Sequence, residues 1–168
     1  MVSIEQRPVE VGDRKIFGHW EGDLVIGKQQ GSAIGSLVER TTRKVIIIPL
    51  KSRKADIVRK AFAKELMKFP EKMRLSLTYD QGTEMSEHTL FTKETSMQVY
   101  FAHPHSLWER GTNENTNGLI RDYFPKGTDF SLIRKDKIKW VEKQLNNRPR
   151  KVLNWSTPQE AFKKLSRI

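Results

Sequence analysis

Three carboxylates in this chain sit where a carboxylate is hard to explain by local structure alone: Asp23, Asp80 and Glu114. Asp23 interrupts the apolar run of "HWEGDLVIG". Asp80 ends the alternating stretch "RLSLTYD" and is followed by Gln81 and Gly82. Glu114 lies among asparagines in "WERGTNENTNGLIRDYF". Taken singly, each has an ordinary explanation. Asp23 fits an exposed edge position or an arginine partner. Asp80 fits turn chemistry. Glu114 fits a first-turn acid complementing a helix dipole, worth about 0.3–1 kcal/mol. Taken together, they are a donor set for divalent cations. Magnesium prefers oxygen ligands and is held by one or two carboxylates plus substrate phosphate. Two such ions about 3.5–4 Å apart clamp the attacking and leaving oxygens of a phosphodiester. That chemistry requires carboxylates from separate elements converging at one end of a sheet.

The elements that must position them are legible from periodicity. "HWEGDLVIG" (19–27) reads as a strand with Trp20, Leu24 and Ile26 on one face and Glu21, Asp23 and Val25 on the other. "SAIGSLVERTT" (32–42) and "KVIIIPL" (44–50) read as two more strands, giving a three-stranded antiparallel start. Residues 52–69 space Ile57, Val58, Ala61, Phe62, Leu66 and Phe69 as an amphipathic helix, stopped by Pro70. In 74–80, Leu75, Leu77 and Tyr79 face one way, and Ser76, Thr78 and Asp80 the other. A short helix over 86–95 and a strand over 97–102 follow. A helix begins near Asn113, another spans roughly 134–146, and the last is capped by Thr157, Pro158 and Glu160. The predicted order is β-β-β-α-β-α-β-α-α-α. This is an α/β fold in which a mixed five-stranded sheet, three antiparallel strands then parallel additions, is flanked by helices. Residues 1–15 read as a loose lead-in and 16–168 as one catalytic-core-sized domain.

At about 100° per residue, Glu114, Asn117, Gly118 and Arg121 share one side of their helix, and Leu119, Ile120, Tyr123 and Phe124 the other. Gly118 removes a side chain one turn after Glu114, where a substrate backbone needs to approach.

The 168 residues carry a formal net charge of +11. From Arg134 to Ile168 there are eleven basic and three acidic residues, a local charge of +8. That balance points to a polyanionic partner, and nucleic acid is the commonest one. Cysteine is absent, which excludes disulfides and thiolate metal sites and favours a reducing compartment. No apolar run approaches the roughly 20 residues of a membrane span, and the N-terminus lacks the apolar region of a secretory signal. Arg121 is the leading DNA contact beside the carboxylates, with an ion pair to Asp80 or Asp122 as the alternative. Asn113 and Asn117 are candidates to bond DNA or to orient Glu114, and Asn113 also fits a helix cap. Trp108 and Arg110 are candidates to stack on, or grip, an exposed nucleotide; for Trp108 a packed loop aromatic is the alternative. His103 and His105 suit loop structure or phosphate contacts better than metal ligation. Lys126, Arg148, Arg150 and Lys151 suit backbone contacts, which position DNA without reading it.

The stretches "GHWEGDLVIG", "SAIGSLVERTTR", "LTYDQGTEM", "VYFAHPHSLWERGTNENTNGLIRDYFPKGTDF" and "LNNRPRKVLNWSTPQEAF" together resemble the catalytic core of a DDE transposase. The insertion-sequence family named for IS-thirty is the closest in pattern. The resemblance runs from about residue 7 to 162, with the motifs in order. Thirty-three residues separate Asp80 from Glu114, and Arg121 follows Glu114 by seven, as in that family. The resemblance implies a ribonuclease H-like fold. It implies Asp23, Asp80 and Glu114 as catalytic metal ligands for two Mg²⁺ (or Mn²⁺) ions, with Asp23 bridging both. It implies cleavage of element ends and joining of a 3′-OH to target DNA. DNA is then the partner, with a homo-oligomer assembled on it, in the bacterial cytoplasm at the nucleoid. Leu107 stands where the family has proline. About a dozen residues precede the matched stretch, so the family's N-terminal helix-turn-helix region is expected to be absent. The competing expectations are a simple metal-dependent nuclease and a silent DNA-binding or assembly module. An RNA-binding domain is disfavoured for want of aromatic-rich sheet motifs.

Overall fold

The computed structural model describes residues 2–9, 16–80, 85–102 and 111–167, the side chains of residues 111, 113 and 114 excepted. Six strands form one sheet: β1 (Val2–Ser3), β2 (His19–Ile26), β3 (Ala33–Glu39), β4 (Val45–Pro49), β5 (Ser76–Tyr79) and β6 (Gln98–Phe101). Five helices flank it: α1 (Ala55–Leu66), α2 (His88–Thr95), α3 (Gly111–Tyr123), α4 (Lys135–Asn146) and α5 (Pro158–Ser166). The strand order is β1-β6-β5-β2-β3-β4. β2, β3 and β4 pair antiparallel, while β5, β6 and β1 add in parallel. The sheet therefore has six strands rather than the expected five. The extra one is cut from the supposed lead-in, where Val2 and Ser3 pair with Tyr100 and Phe101 and Ile4 is buried. Two residues are too few to show a strand period.

The alternation of β2 divides two cores. Trp20 and Leu24 face a layer built from Val58, Phe62 and Leu66 of α1, Phe91 of α2 and Phe162 of α5. Gly22 and Gly35 make room there for Phe62. A Cβ on Gly35 would fall 2.6 Å from the Phe62 ring, and one on Gly22 3.3 Å from it. The opposite face carries Val25, Ile34, Val38, Val45 and Ile47, covered by Ile120 of α3, by Phe124 just after it, and by Ile138, Val141 and Leu145 of α4. Asp23 belongs to this second face by its odd position in β2.

β4 is an edge strand, and α4 closes it with side chains. Asn146 accepts from the Val45 N–H at 2.9 Å and donates to the Val45 carbonyl at 2.8 Å. One turn earlier, Glu142 accepts from the Ile47 N–H at 2.8 Å, and Lys139 donates to the Ile47 carbonyl at 3.2 Å. Free strand edges invite pairing with other chains, and this helix removes that opportunity.

The chain reverses at the same end of the sheet in a loop from Arg150 to Ser156. Its main-chain bonds run from Arg150 N–H to the Ser156 carbonyl (3.0 Å), and from the Leu153 and Trp155 N–H groups to the Arg150 carbonyl (3.0 and 2.9 Å). Asn154 and Trp155 both adopt positive φ, 53° and 69°. Asparagine tolerates that region; a tryptophan there is strained by about 1–3 kcal/mol.

Candidate active site

The parallel register of β2 and β5 sets the first two carboxylates together. His19, Trp20 and Glu21 lie beside Ser76, Leu77 and Thr78. Extended two residues past its last pair, this register aligns Asp23 with Asp80, the residue that follows the end of β5. Asp23 meets Asn117 of α3, and both Asp23 and Asp80 are half-buried. β5 ends at Tyr79, so Asp80 stands at its carboxyl end, where sites collect in open α/β sheets.

Two neutral donors help hold Asp23. The Leu24 N–H donates to its Oδ1 at 2.8 Å, and the Asn117 side-chain amide to its Oδ2 at 2.9 Å. Asn117 is fixed in turn, because Ser36 Oγ donates to its Oδ1 at 3.0 Å. Ser36 is fully buried and lies opposite Asp23 in the β2–β3 pairing. These bonds orient the carboxylate without neutralising its charge. Asn117 was expected to bond DNA or to orient Glu114; its contacts include Asp23 and Ser36.

Glu21, on the same face, is removed from this chemistry. Its carboxylate receives the Arg40 guanidinium at 2.6 Å, with both side chains essentially inaccessible to water. Breaking such a pair would strand a buried charge, at about 3–5 kcal/mol. Next to it, the turn between β3 and β4 is organised by Glu39. Glu39 accepts from Gly18, Thr41 and Thr42 N–H groups and from the Thr42 hydroxyl. Burial pushes the Glu39 carboxyl above its ordinary value, and these hydrogen bonds oppose the shift.

Helix α3 is pinned at three points along its length. Arg43, from the β3–β4 turn, donates to Thr112 Oγ1 at 3.2 Å. Asn117 engages Asp23 in the middle. Near the end, Arg121 donates to the carbonyls of Ile26 (2.8 Å), Phe124 (3.3 Å) and Pro125 (3.4 Å). Burial lowers the pKa of the Arg121 guanidinium. The observed contacts of Arg121 are thus a clamp between α3 and the end of β2, where a DNA contact was expected, with an ion pair to Asp80 or Asp122 as the alternative.

The buried stripe of α3 also differs from its hydropathy pattern. Thr112 and Thr116 are buried with Ile120 and Phe124, while Leu119 and Tyr123 are only partly covered. Thr116 satisfies its hydroxyl on the Thr112 carbonyl at 3.0 Å. The helix starts at Gly111, so Asn113 lies inside its first turn and is not the cap. Glu114 occupies the same flank as Asn117 and Arg121 by its spacing. The side chains of Asn113 and Glu114, and all of His103, His105, Leu107, Trp108 and Arg110, lie outside the described residues. Among the described residues no three His, Asp or Glu side chains form a group able to hold a metal ion. Gly118 is exposed, and among the described residues nothing lies within 4 Å of where a Cβ would stand.

A family model described as "Integrase core domain" matches residues 13–106, more than half of the chain. The chain belongs to the integrase core domain family. Among its relatives is the transposase for insertion sequence element IS1086 of Cupriavidus metallidurans, 48% identical over 158 residues, or 94% of this chain and 47% of the relative. Another is the transposase InsI for insertion sequence element IS30A of Escherichia coli (strain K12), 44% identical over 161 residues, or 96% of this chain and 42% of the relative. The chain therefore spans less than half the length of these curated relatives. Its fold is that of retroviral integrase cores. It is similar to the catalytic core domain of BIV integrase with a TM-score of 0.68 at 16% identity, covering 89% of this chain and 95% of that one. It is also similar to the HTLV-2 integrase catalytic core domain in complex with magnesium, with a TM-score of 0.64 at 18% identity, covering 86% and 95%. The expected ribonuclease H-like architecture is thereby borne out.

The four residues expected to make backbone contacts fall in two regions of this integrase core. Lys126 is exposed in the turn that follows α3. Arg148 and Lys151 are exposed, and Arg150 is half-buried, at the far end of the sheet. Burial, and then the neighbouring Arg148 charge, lower the Arg150 pKa. Among the described residues no helix is long and apolar enough to cross a membrane.

Proposed function

We propose that this integrase core domain is the catalytic part of a DDE transposase, cutting DNA strands and joining a 3′-OH end to target DNA with divalent metal. The observation that supports this reading is Asp23 held in β2 by Asn117 of α3, with Asp80 following the end of the neighbouring parallel strand β5, in a strongly basic chain. The donor set fits magnesium or manganese: carboxylate oxygens from separate strands, in a protein without cysteine. In this reading Asp23, Asp80 and Glu114 hold two ions, Glu114 from the first turn of α3. When bound, the ions supply a lowered nucleophile pKa and charge neutralisation at the phosphate. The chain's own contribution is orientation. Leu24 and Asn117 aim the Asp23 carboxylate, and Ser36 keeps the Asn117 amide turned so that its N–H groups face Asp23.

The relatives support the same reading. The proteins at 44–48% identity are transposases of insertion sequences, and the solved HTLV-2 core is a complex with magnesium. DNA contacts are proposed for Trp108, Arg110, Asn113, Asn117, Lys126, Arg148, Arg150 and Lys151, and for any N–H of Arg121 beyond its clamp. Assembly on DNA as a homo-oligomer, at the bacterial nucleoid, belongs to the same proposal.

The test is strand cleavage of a labelled duplex carrying the element end, with Mg²⁺, by the wild-type chain and by Asp80→Asn. Metal-dependent nicking confined to the wild type supports the reading; equal activity in both proteins sinks it. Supplying pre-cut 3′-OH ends separates a transferase, which joins them to a second duplex, from a nuclease, which does not.

A further inference from the structure

Trp155 is strained but hardly packed. Trp155 is 67% exposed, yet its backbone holds a φ of 69°, a conformation that glycine would adopt without steric cost. Two main-chain hydrogen bonds to the Arg150 carbonyl, from Leu153 and Trp155, fix the loop that presents it. Beside the loop lies an open hollow of about 510 Å³ between Val152–Asn154 and the Glu160–Lys164 turns of α5. The surroundings are cationic. Residues 147–167 carry six basic side chains and one acid, Glu160. The Arg148 charge acts on Arg150, and Lys164 lines the hollow.

We propose that this loop is a landing site for an unpaired DNA strand, with Trp155 stacking a base and Arg148, Lys151 and Lys164 meeting phosphates. The inference rests on the DNA-processing reading above. An exposed, rigidly held aromatic beside a basic surface is the arrangement that binds single strands, since an unpaired base offers a free π-face and a duplex does not. Lys44 bonds Gln159 of α5, and Phe162 packs on Trp20, so α5 and the loop ahead of it sit at the Trp20 end of β2. That end is three residues from Asp23, about 10 Å along the strand.

The experiment compares the wild-type chain with Trp155→Gly and Trp155→Phe. Thermal melting is followed alongside fluorescence anisotropy with a single-stranded oligothymidylate and with a duplex of the same length. Trp155→Gly should melt at the same temperature or higher, because glycine relieves the backbone strain. It should bind the single strand about tenfold more weakly, as expected for loss of one stacked base, with little change for the duplex. Trp155→Phe should retain most of the single-strand affinity. Unchanged single-strand binding by Trp155→Gly overturns the site, and so does equal weakening for both DNA forms. A lower melting temperature for Trp155→Gly overturns it by making the indole a packing residue. Conversion of a wild-type dimer to a monomer, with single-strand affinity intact, overturns it in favour of self-association. A wild-type chain that binds neither DNA form and shows no metal-dependent cleavage takes down the transposase reading itself. Retained cleavage with an indifferent Trp155→Gly variant takes down only this site.

Discussion

The amide of Asn117, on helix α3, donates to the carboxylate of Asp23, on strand β2, at 2.9 Å. The direction of that amide is fixed by chemistry as well as distance. A carboxylate accepts, so Asn117 must present its nitrogen to Asp23. Its oxygen is then the group that takes the buried Ser36 hydroxyl at 3.0 Å. A helix and two strands are thereby locked around one carboxylate.

Removing that lock should be felt at the metal. Residues that orient metal ligands typically cost 10–100-fold in affinity or activity when lost. Asn117→Ala, and to a smaller extent Ser36→Ala, should therefore weaken Mn²⁺ binding by about tenfold in a calorimetric titration. Circular dichroism should show the fold retained. Wild-type Mn²⁺ affinity in both variants would leave the chain of bonds with a packing role alone.

Arg121 should behave as a structural clamp. Lysine keeps the charge but cannot reproduce a planar fork across the carbonyls of Ile26, Phe124 and Pro125. Arg121→Lys should lose about 1–2 kcal/mol in urea unfolding, as expected for hydrogen bonds from a charged donor. Unchanged stability would show that the clamp contributes nothing and return the residue to a purely DNA-facing role.

The seal on the sheet edge should be costly to open. Asn146→Ala leaves the Val45 N–H and carbonyl without their side-chain partner. Each stranded buried group costs about 1–3 kcal/mol. The expected outcome is a loss of roughly 2 kcal/mol in chemical denaturation together with faster amide exchange at Val45. Exchange at Val45 that stays as slow as in the wild type would contradict the assignment.

Gly118 separates substrate access from helix economy. It lies exposed in α3 with no described residue within 4 Å of a Cβ there, so Gly118→Ala should stabilise the fold by about 0.5–1 kcal/mol. If DNA approaches the helix at this point, a bulkier Gly118→Leu should weaken duplex binding while keeping a similar melting temperature. Wild-type affinity in Gly118→Leu would place the DNA path elsewhere.

Most of the sheet and its helices was legible because the signals were periodic. Alternation in β2 separated Trp20 and Leu24 from Asp23, and the structure keeps that division between its two cores. Thr157, Pro158 and Glu160 announced α5, and the capping box is present. The packing of α3 was less legible. Thr112 and Thr116 read as polar, yet a threonine that returns its hydroxyl to the preceding turn can be buried. The Ser36–Asn117–Asp23 chain was invisible because its members lie in three elements, and only the folded register brings them together. Trp155 was passed over because its exposure and positive φ are properties of the loop rather than of composition. Glu21 was legible as Asp23's neighbour on the strand, but its neutralisation by Arg40 depended on the β3–β4 turn.

The central claim is that the carboxylates of Asp23 and Asp80, with Glu114, form a divalent-metal site. A crystal of the chain soaked in Mn²⁺, with anomalous diffraction collected to locate manganese, tests it most directly. The account predicts an anomalous peak between the Asp23 and Asp80 side chains that disappears in Asp80→Asn. Manganese bound only elsewhere on the surface, with no peak at these two residues in the wild type, would contradict it.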